Sequence, residues 1–319
     1  MIKYVIIFVA LIVSAFLYLK IAMKYRILDN PNYRSSHVKP TIRGGGILFL
    51  FGLLIFFFWN HFVYPYFVLG TGMIALLSFV DDIKTLSAKI RWPFQLLAVI
   101  LLLYEIGFDH FPIWSYIPIL ILAVGFINLF NFLDGINGIA GFSSLVVLAG
   151  FYYLNQEYPV VDDSFLITMM LSVVVFGFFN FRKKAVMFAG DVGSITMAMV
   201  ILYLAIEYMV ASGSALVMCL YMVFGADSTN TLLYRVIKKE KLSQPHRHHI
   251  YQKLVDNFKF SHLQVSSYYT ILQVLVSVFA LYAMHNLDLK YHFVLGMAVS
   301  LILTAFYIYL FRKNEKRIQ

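Results

Sequence analysis

Apolar runs, each long enough to cross about 30 Å of hydrocarbon at about 17–25 residues, recur along the whole chain and are separated by short polar breaks. Marking them predicts eleven helices, over 3–23, 44–60, 62–80, 93–107, 113–131, 138–154, 164–181, 192–210, 213–234, 263–285 and 292–311. The spans 93–107 and 138–154 are short for a full crossing and fit a tilted or re-entrant segment. The expected fold is all-α: one membrane helical bundle of 10–11 spans in a single domain, 1–319, with lipid as the solvent for most of its surface. The first run, Tyr4 to Leu19, has no small-residue cleavage site after it, so it reads as a retained helix.

The polar breaks alternate in character. If the N-terminus lies outside, the segments on the inner side carry every Lys and Arg of the 25 except Lys3 and Lys290. The outer segments carry Glu105, Asp109, Glu157, Asp162 and Asp163 instead. Basic residues collect on the cytoplasmic side of membrane proteins, so the N-terminus is expected in the periplasm and the C-terminus in the cytoplasm. The helix count and the clean charge split support each other, because one miscounted helix would scramble the split. Longer polar connections, 24–43, 81–92 and 235–262, also fall on the inner side, where loops on a rigid scaffold can carry function.

Composition agrees with this picture. The chain is 61% hydrophobic and only 13% charged, too few charges to coat a soluble globule of 319 residues. The net charge of +9 follows from the inner-side bias and does not call for nucleic acid. One cysteine, Cys219, excludes an intramolecular disulfide framework and any Cys/His zinc spacing.

Candidate chemistry gathers at the inner helix ends. Asp81 and Asp82 close the third helix, and Asn128, Asn131 and Asp134 close the fifth at intervals that keep them near one helical face. Asp191 opens the eighth in Ala189-Gly-Asp-Val-Gly-Ser194. Carboxylates at a membrane edge are costly to desolvate and commonly line a polar cavity or bind a cation. Acids on separate helices suit a hard, oxygen-liganded ion, Mg²⁺ before Mn²⁺, completed by substrate phosphate. Gly44–Gly46 and Gly190–Ser194, at two helix N-termini, could bring backbone amides to an anion. The segment Pro245-His-Arg-His-His-Ile-Tyr-Gln252 could ligate metal, but Arg247 repels a cation, and donation to a diphosphate is the more natural use. Phe188, three residues before Asp191, could stack on a base.

Taken in order, these motifs resemble those of the polyprenyl-phosphate N-acetylhexosamine-1-phosphate transferases. The likeness runs through Asp29-Asn-Pro-Asn-Tyr-Arg-Ser-Ser-His37, Gly44–Gly46, Asp81-Asp82 with Leu86-Ser-Ala-Lys89, and Asn128-x-x-Asn131-x-x-Asp134-Gly135. It continues through Asn180, Phe188-Ala-Gly-Asp191-x-Gly-Ser194 and Pro245-His-Arg-His-His249. The ending His246-Arg247-x-His249-x-Tyr251-Gln252 is most similar to the O-antigen-initiating branch. The resemblance implies a Mg²⁺-dependent enzyme of the bacterial inner membrane with a cytoplasmic active site. It would pass an N-acetyl-amino-sugar 1-phosphate (GlcNAc, or a deoxy sugar such as FucNAc or QuiNAc) from a UDP-sugar to undecaprenyl phosphate, releasing UMP.

Residue by residue, the resemblance implies that Asp191, with Asp82, holds the metal and that Asp81 and Asp82 stand near the attacking lipid phosphate. Asp134 and Asn131 would meet the nucleotide sugar, with His37, Asn128 and Asn137 also on the substrate side. Asn180 and Phe188 would hold the uridine, and His246, Arg247 and His249 the diphosphate. The chain departs from the family pattern at Asn137, where Asp is usual, which weakens any metal or base role there. No strong base is needed, because a phosphate monoester with a second pKa of about 6 is largely ionised at neutral pH. Asp81 or Asp82 is thus expected to position the lipid phosphate or take a residual proton without a covalent phospho-enzyme. A homodimer is left open. The rival reading is a secondary transporter, for which Asp227, inside the ninth helix, is the one fitting residue.

Overall fold

The computed structural model describes residues 2–31, 39–241 and 247–318. His37 and His246 lie outside the described residues. Among the described residues the chain is a helical bundle: α1 (Ile2–Tyr25), α2 (Ile47–Trp59), α3 (Pro65–Ile83), α4 (Ala88–Ile106), α5 (Tyr116–Leu133) and α6 (Ile139–Asn155), then α7 (Asp163–Asn180), α8 (Gly190–Ser212), α9 (Met222–Ile237), α10 (Ile250–Asp256), α11 (His262–Asn286) and α12 (Leu289–Ile318). Eight segments are long and apolar enough to cross a membrane by length and composition; α2 and α6 are shorter apolar helices. All eleven expected helices are present.

Three local departures have physical causes. First, α4 begins at Ala88 and carries Pro93 within it, so the polar turn bearing Lys89 and Arg91 is helical and extends the apolar run. Second, the expected ninth helix is divided: Ala215–Tyr221 is 3-10 and α9 starts at Met222. Gln273 of α11 bridges the junction, donating to Cys219 O, which also takes the Met222 amide, at 2.8 Å and accepting from Val223 N at 3.0 Å. Buried backbone away from water needs such a partner. Third, the chain is not wholly helical. β1 (Leu28–Asp29) pairs antiparallel with β2 (Thr41–Ile42), and Ile42 bridges in parallel to Met187.

Contacts sort the helix ends onto two faces. On one, Lys3 donates to Asn60 Oδ1 at 2.9 Å, Glu105 accepts the Tyr66 and Phe67 amides, and Asp162 N donates to Tyr64 Oη. On the other lie Arg43, Asp81, Asp82, Asn137 and Asp191, with the connections after α1, α3, α5, α7 and α9. Helices therefore alternate in direction. At the centre is α8, whose residues from Val192 to Ala205 are all buried.

Candidate active site

The glycines that open α2 and α8 set the backbone of the site. Gly46 and Gly193 meet so closely that a Cβ on Gly46 would lie 2.3 Å from Gly193 Cα. Gly45 N donates to Phe188 O at 2.8 Å, Gly46 N to Ala189 O at 2.9 Å, and Phe188 N to Ile42 O at 2.8 Å. The amides of Gly45 and Gly46 are thus engaged by backbone. The expectation that Gly44–Gly46 cradles an anion is corrected: these glycines allow two helix starts to touch. The same stitching fixes Phe188, half-buried, beside the α8 start.

Asp82 is the keystone of the acidic end. Its side chain is 0% exposed and accepts the backbone amides of Asp191 at 2.9 Å and Val192 at 3.1 Å. A carboxylate at a helix N-terminus satisfies orphan amides and meets the positive end of the helix dipole. Arg43 closes the arrangement, its Nε 2.6 Å from Asp82 Oδ1 and an Nη 2.9 Å from Asp191 Oδ1. Tyr18 Oη donates to Arg43 O and holds that turn. Asp81 accepts from Arg91 at 3.1 Å and from the Leu86 amide, and its carboxylate also faces that of Asp191. Asp191 retains 18% exposure of its side chain, against 5% for Asp81.

Asp134 caps the end of α5, donating its amide to Asn131 O at 3.3 Å. Burial, with the charges of Asp191 and Asp82, pushes its carboxyl up to about 7 against the opposing pull of Arg43. Asp82, Asp134 and Asp191, from α3, the α5 end and α8, thus gather around the Arg43 guanidinium, while Asp81, paired with Arg91, stands against Asp191. Asn131 Oδ1 accepts from Ser194 Oγ in the first turn of α8, joining α5 to this cluster.

The remaining sequence-predicted residues take supporting positions. Asn128 forms a reciprocal amide pair with Gln95 at 3.1 and 3.2 Å. Asn180 accepts from Gly138 N at 2.7 Å and donates to Met187 O at 3.0 Å, so it ties the loop after α5 to the approach to α8. Asn137 is buried and donates to Arg182 O at 3.0 Å, while its own carbonyl accepts from Ser266. Arg247 pairs with Asp256 at 2.8 Å. His249 is 2% exposed, with Nδ1 3.5 Å from Asp227 Oδ1 and its ring stacked on Tyr251. Its assignment to an open diphosphate site is corrected for this conformation: the ring is packed between α9 and α10.

A divalent ion was expected on Asp191 and Asp82. Among the described residues no group of three or more His, Cys, Asp or Glu forms a ready cage. Mg²⁺ needs only one or two carboxylates when phosphate oxygens and water complete its shell. Asp191, accessible and opposed by Asp81, fits that role. Asp82 does not, since it is enclosed and engaged by Arg43 and two amides. The sequence reading missed Arg43 as a site residue; its signal is a basic residue directly before the glycine triplet.

The family model for glycosyl transferase family 4 matches residues 64–209. A Bacillus subtilis (strain 168) protein named as a probable undecaprenyl-phosphate N-acetylglucosaminyl 1-phosphate transferase is 26% identical over 264 residues, covering 76% of this chain and 73% of its own. The undecaprenyl-phosphate alpha-N-acetylglucosaminyl 1-phosphate transferase of Salmonella typhi is 26% identical over 63% of this chain and 60% of its own. The phospho-N-acetylmuramoyl-pentapeptide-transferase of Dictyoglomus turgidum is 29% identical over 51% of this chain and 59% of its own. The chain thus spans about three fifths of the length of the last two.

Proposed function

The chain belongs to glycosyl transferase family 4, and from that premise we propose that it transfers an N-acetyl-amino-sugar 1-phosphate from a UDP-sugar to undecaprenyl phosphate at the cytoplasmic side of a bacterial inner membrane. The carrying observation is the convergence at one end of the bundle of Asp82, Asp134 and Asp191 around Arg43, with Asp81 against Asp191.

In the proposed reaction an ionised oxygen of the lipid phosphate bonds to the sugar-bearing phosphorus. The bond from that phosphorus to the bridging oxygen breaks, and UMP leaves with the electron pair. Such transfer depends chiefly on alignment and charge neutralisation. Asp191, with Asp81 beside it, would hold a Mg²⁺ ion, which would supply charge neutralisation for the phosphates. Asp82 acts by fixing the α8 start and Arg43. Asp134, near neutrality in its titration, can accept or share a proton with the sugar or a phosphate oxygen. Phe188 offers a half-buried ring for the uracil, with Asn131 toward the nucleotide sugar. Of the donors, UDP-GlcNAc comes first because two relatives carry N-acetylglucosaminyl in their names; deoxy-amino sugars and an O-antigen role come second.

The transporter reading loses its best residue, because Asp227 accepts from Ile250 N, Tyr251 N and Tyr269 Oη and so anchors α10. The test is purified protein with undecaprenyl phosphate and a panel of UDP-sugars, followed by UMP release with and without EDTA. Asp191→Ala is expected to stay folded in detergent and lose about 100-fold or more of the rate, as metal-centred charge stabilisation implies. Full activity in that variant, or in EDTA, refutes the assignment.

A further inference from the structure

One large polar side chain lies between the segment that carries Arg247 and His249 and the acidic cluster. Tyr251, in the first turn of α10, is 1% exposed. Its Oη donates to Phe132 O at 3.0 Å, at the end of α5. The ring edge fills the space where Gly135 lacks a side chain: a Cβ there would sit 2.2 Å from Tyr251 Oη and 3.0 Å from two ring carbons. The phenol therefore bears directly on the turn that holds Asp134.

Tyr251 is itself held from behind. Asp227 of α9, 3% exposed, accepts the amides of Ile250 at 3.0 Å and Tyr251 at 3.3 Å. Tyr269 of α11 donates to the same carboxylate at 2.7 Å. A buried carboxylate keeps its charge only with such a full set of donors. The chain Asp227, Tyr251, Phe132–Gly135, Asp134 runs from mid-α9 to the acidic cluster.

We propose that Tyr251 is a positioning residue for the transfer reaction, fixing the Asp134–Gly135 turn in register while Asp227 fixes Tyr251. Tyr251 touches no reacting group in this scheme. The inference rests on the proposed phosphoglycosyltransferase reading for its kinetic test, but its structural content stands apart from that reading. A merely space-filling tyrosine would tolerate Phe with kcat and exchange at residues 133–136 unchanged.

The experiment compares wild type, Tyr251→Phe, Gly135→Ala and the double variant in detergent. Tyr251→Phe is expected to lower kcat about tenfold or more, as small misplacements of catalytic groups do, with KM for both substrates within about twofold. Gly135→Ala is expected to cost at least about tenfold less in the Tyr251→Phe background than in wild type, because the closest clash is with the removed oxygen; contacting residues couple in this way. Amide hydrogen exchange, which needs no activity, is read in parallel. Exchange at residues 133–136 should accelerate about tenfold or more in Tyr251→Phe, as lost local stability implies, while α3 and α8 stay unchanged. An unchanged kcat, equal costs of Gly135→Ala in the two backgrounds, or unaltered exchange at 133–136 overturns the inference. A wild type inactive with every donor overturns the transferase reading alone, and the exchange result then decides the role of Tyr251.

Discussion

A buried carboxylate can be retained for its charge, for its geometry or for both, and the four aspartates divide along this line. Asp82 satisfies two amides and one guanidinium while fully enclosed. Asp82→Ala should therefore cost about 3–5 kcal/mol, the range for removing one partner of a buried ion pair, and should be read as lower thermal stability in detergent. Asp191→Ala removes only a partly exposed contact to Arg43, so stability and activity should separate between the two variants. Asp134 behaves differently again. Its carboxyl is neutral up to about 7 in the fold against an ordinary 3.8. Between those values the folded state binds more protons than the unfolded state, so stability falls as pH rises from about 4 to about 7. Asp134→Asn should make that fall shallower and raise stability at pH 8 by about 1–2 kcal/mol after allowance for solvent screening, while lowering UMP release. Thermal unfolding from pH 5 to 8 reads the first effect; a wild-type curve that rises with pH would contradict it.

The decisive joint between elements is the start of α2 against the start of α8. Gly46 packs on Gly193 and Ala189 O, contacts with backbone that no rotamer change can relieve. Gly46→Ala must therefore push the two helix starts apart, at about 1–3 kcal/mol for overpacking. It should also disturb Phe188, whose backbone lies in the same stitching. The check is a lower unfolding temperature together with a raised KM for the UDP-sugar; wild-type values of both would show that the joint is pliable. Gln273 illustrates the opposite device, a polar side chain on α11 that repairs the break before α9. Neither joint is visible as an apolar pattern, because one depends on missing side chains and the other on a partner about 50 residues away.

Across the whole molecule, the alternating helix directions bring the acidic cluster and the long polar connections to one face. Basic residues collect on that same face, so it should be cytoplasmic. Single cysteines in Cys219-substituted protein provide the check. One at Lys290 should react with a membrane-impermeant thiol reagent in whole cells, and one at Lys183 only after lysis. The reverse pattern would turn the cluster outward and remove it from cytoplasmic UDP-sugars. The length of α12, about 45 Å at 1.5 Å per residue, carries it past the bilayer. Toward the end of its span Tyr307 and Phe311 pack with Ile250 of α10, so the C-terminal helix braces the segment that bears His249 and Tyr251.

The order and helical type of the eleven apolar segments were determined by the sequence alone, because an apolar run set in lipid satisfies its backbone most readily as a helix. That Asp81, Asp82, Asp134 and Asp191 gather at one end of the bundle was equally legible, since acids at an apolar boundary are costly unless they have a function or a partner. What only the tertiary structure decided was the division of labour among them: Asp82 enclosed as a cap, Asp191 left accessible, Arg43 between them, and His249 turned toward Asp227. Those roles depend on which amides and cations meet each carboxylate in space, and such partners are joined by long loops rather than by any local period in the chain.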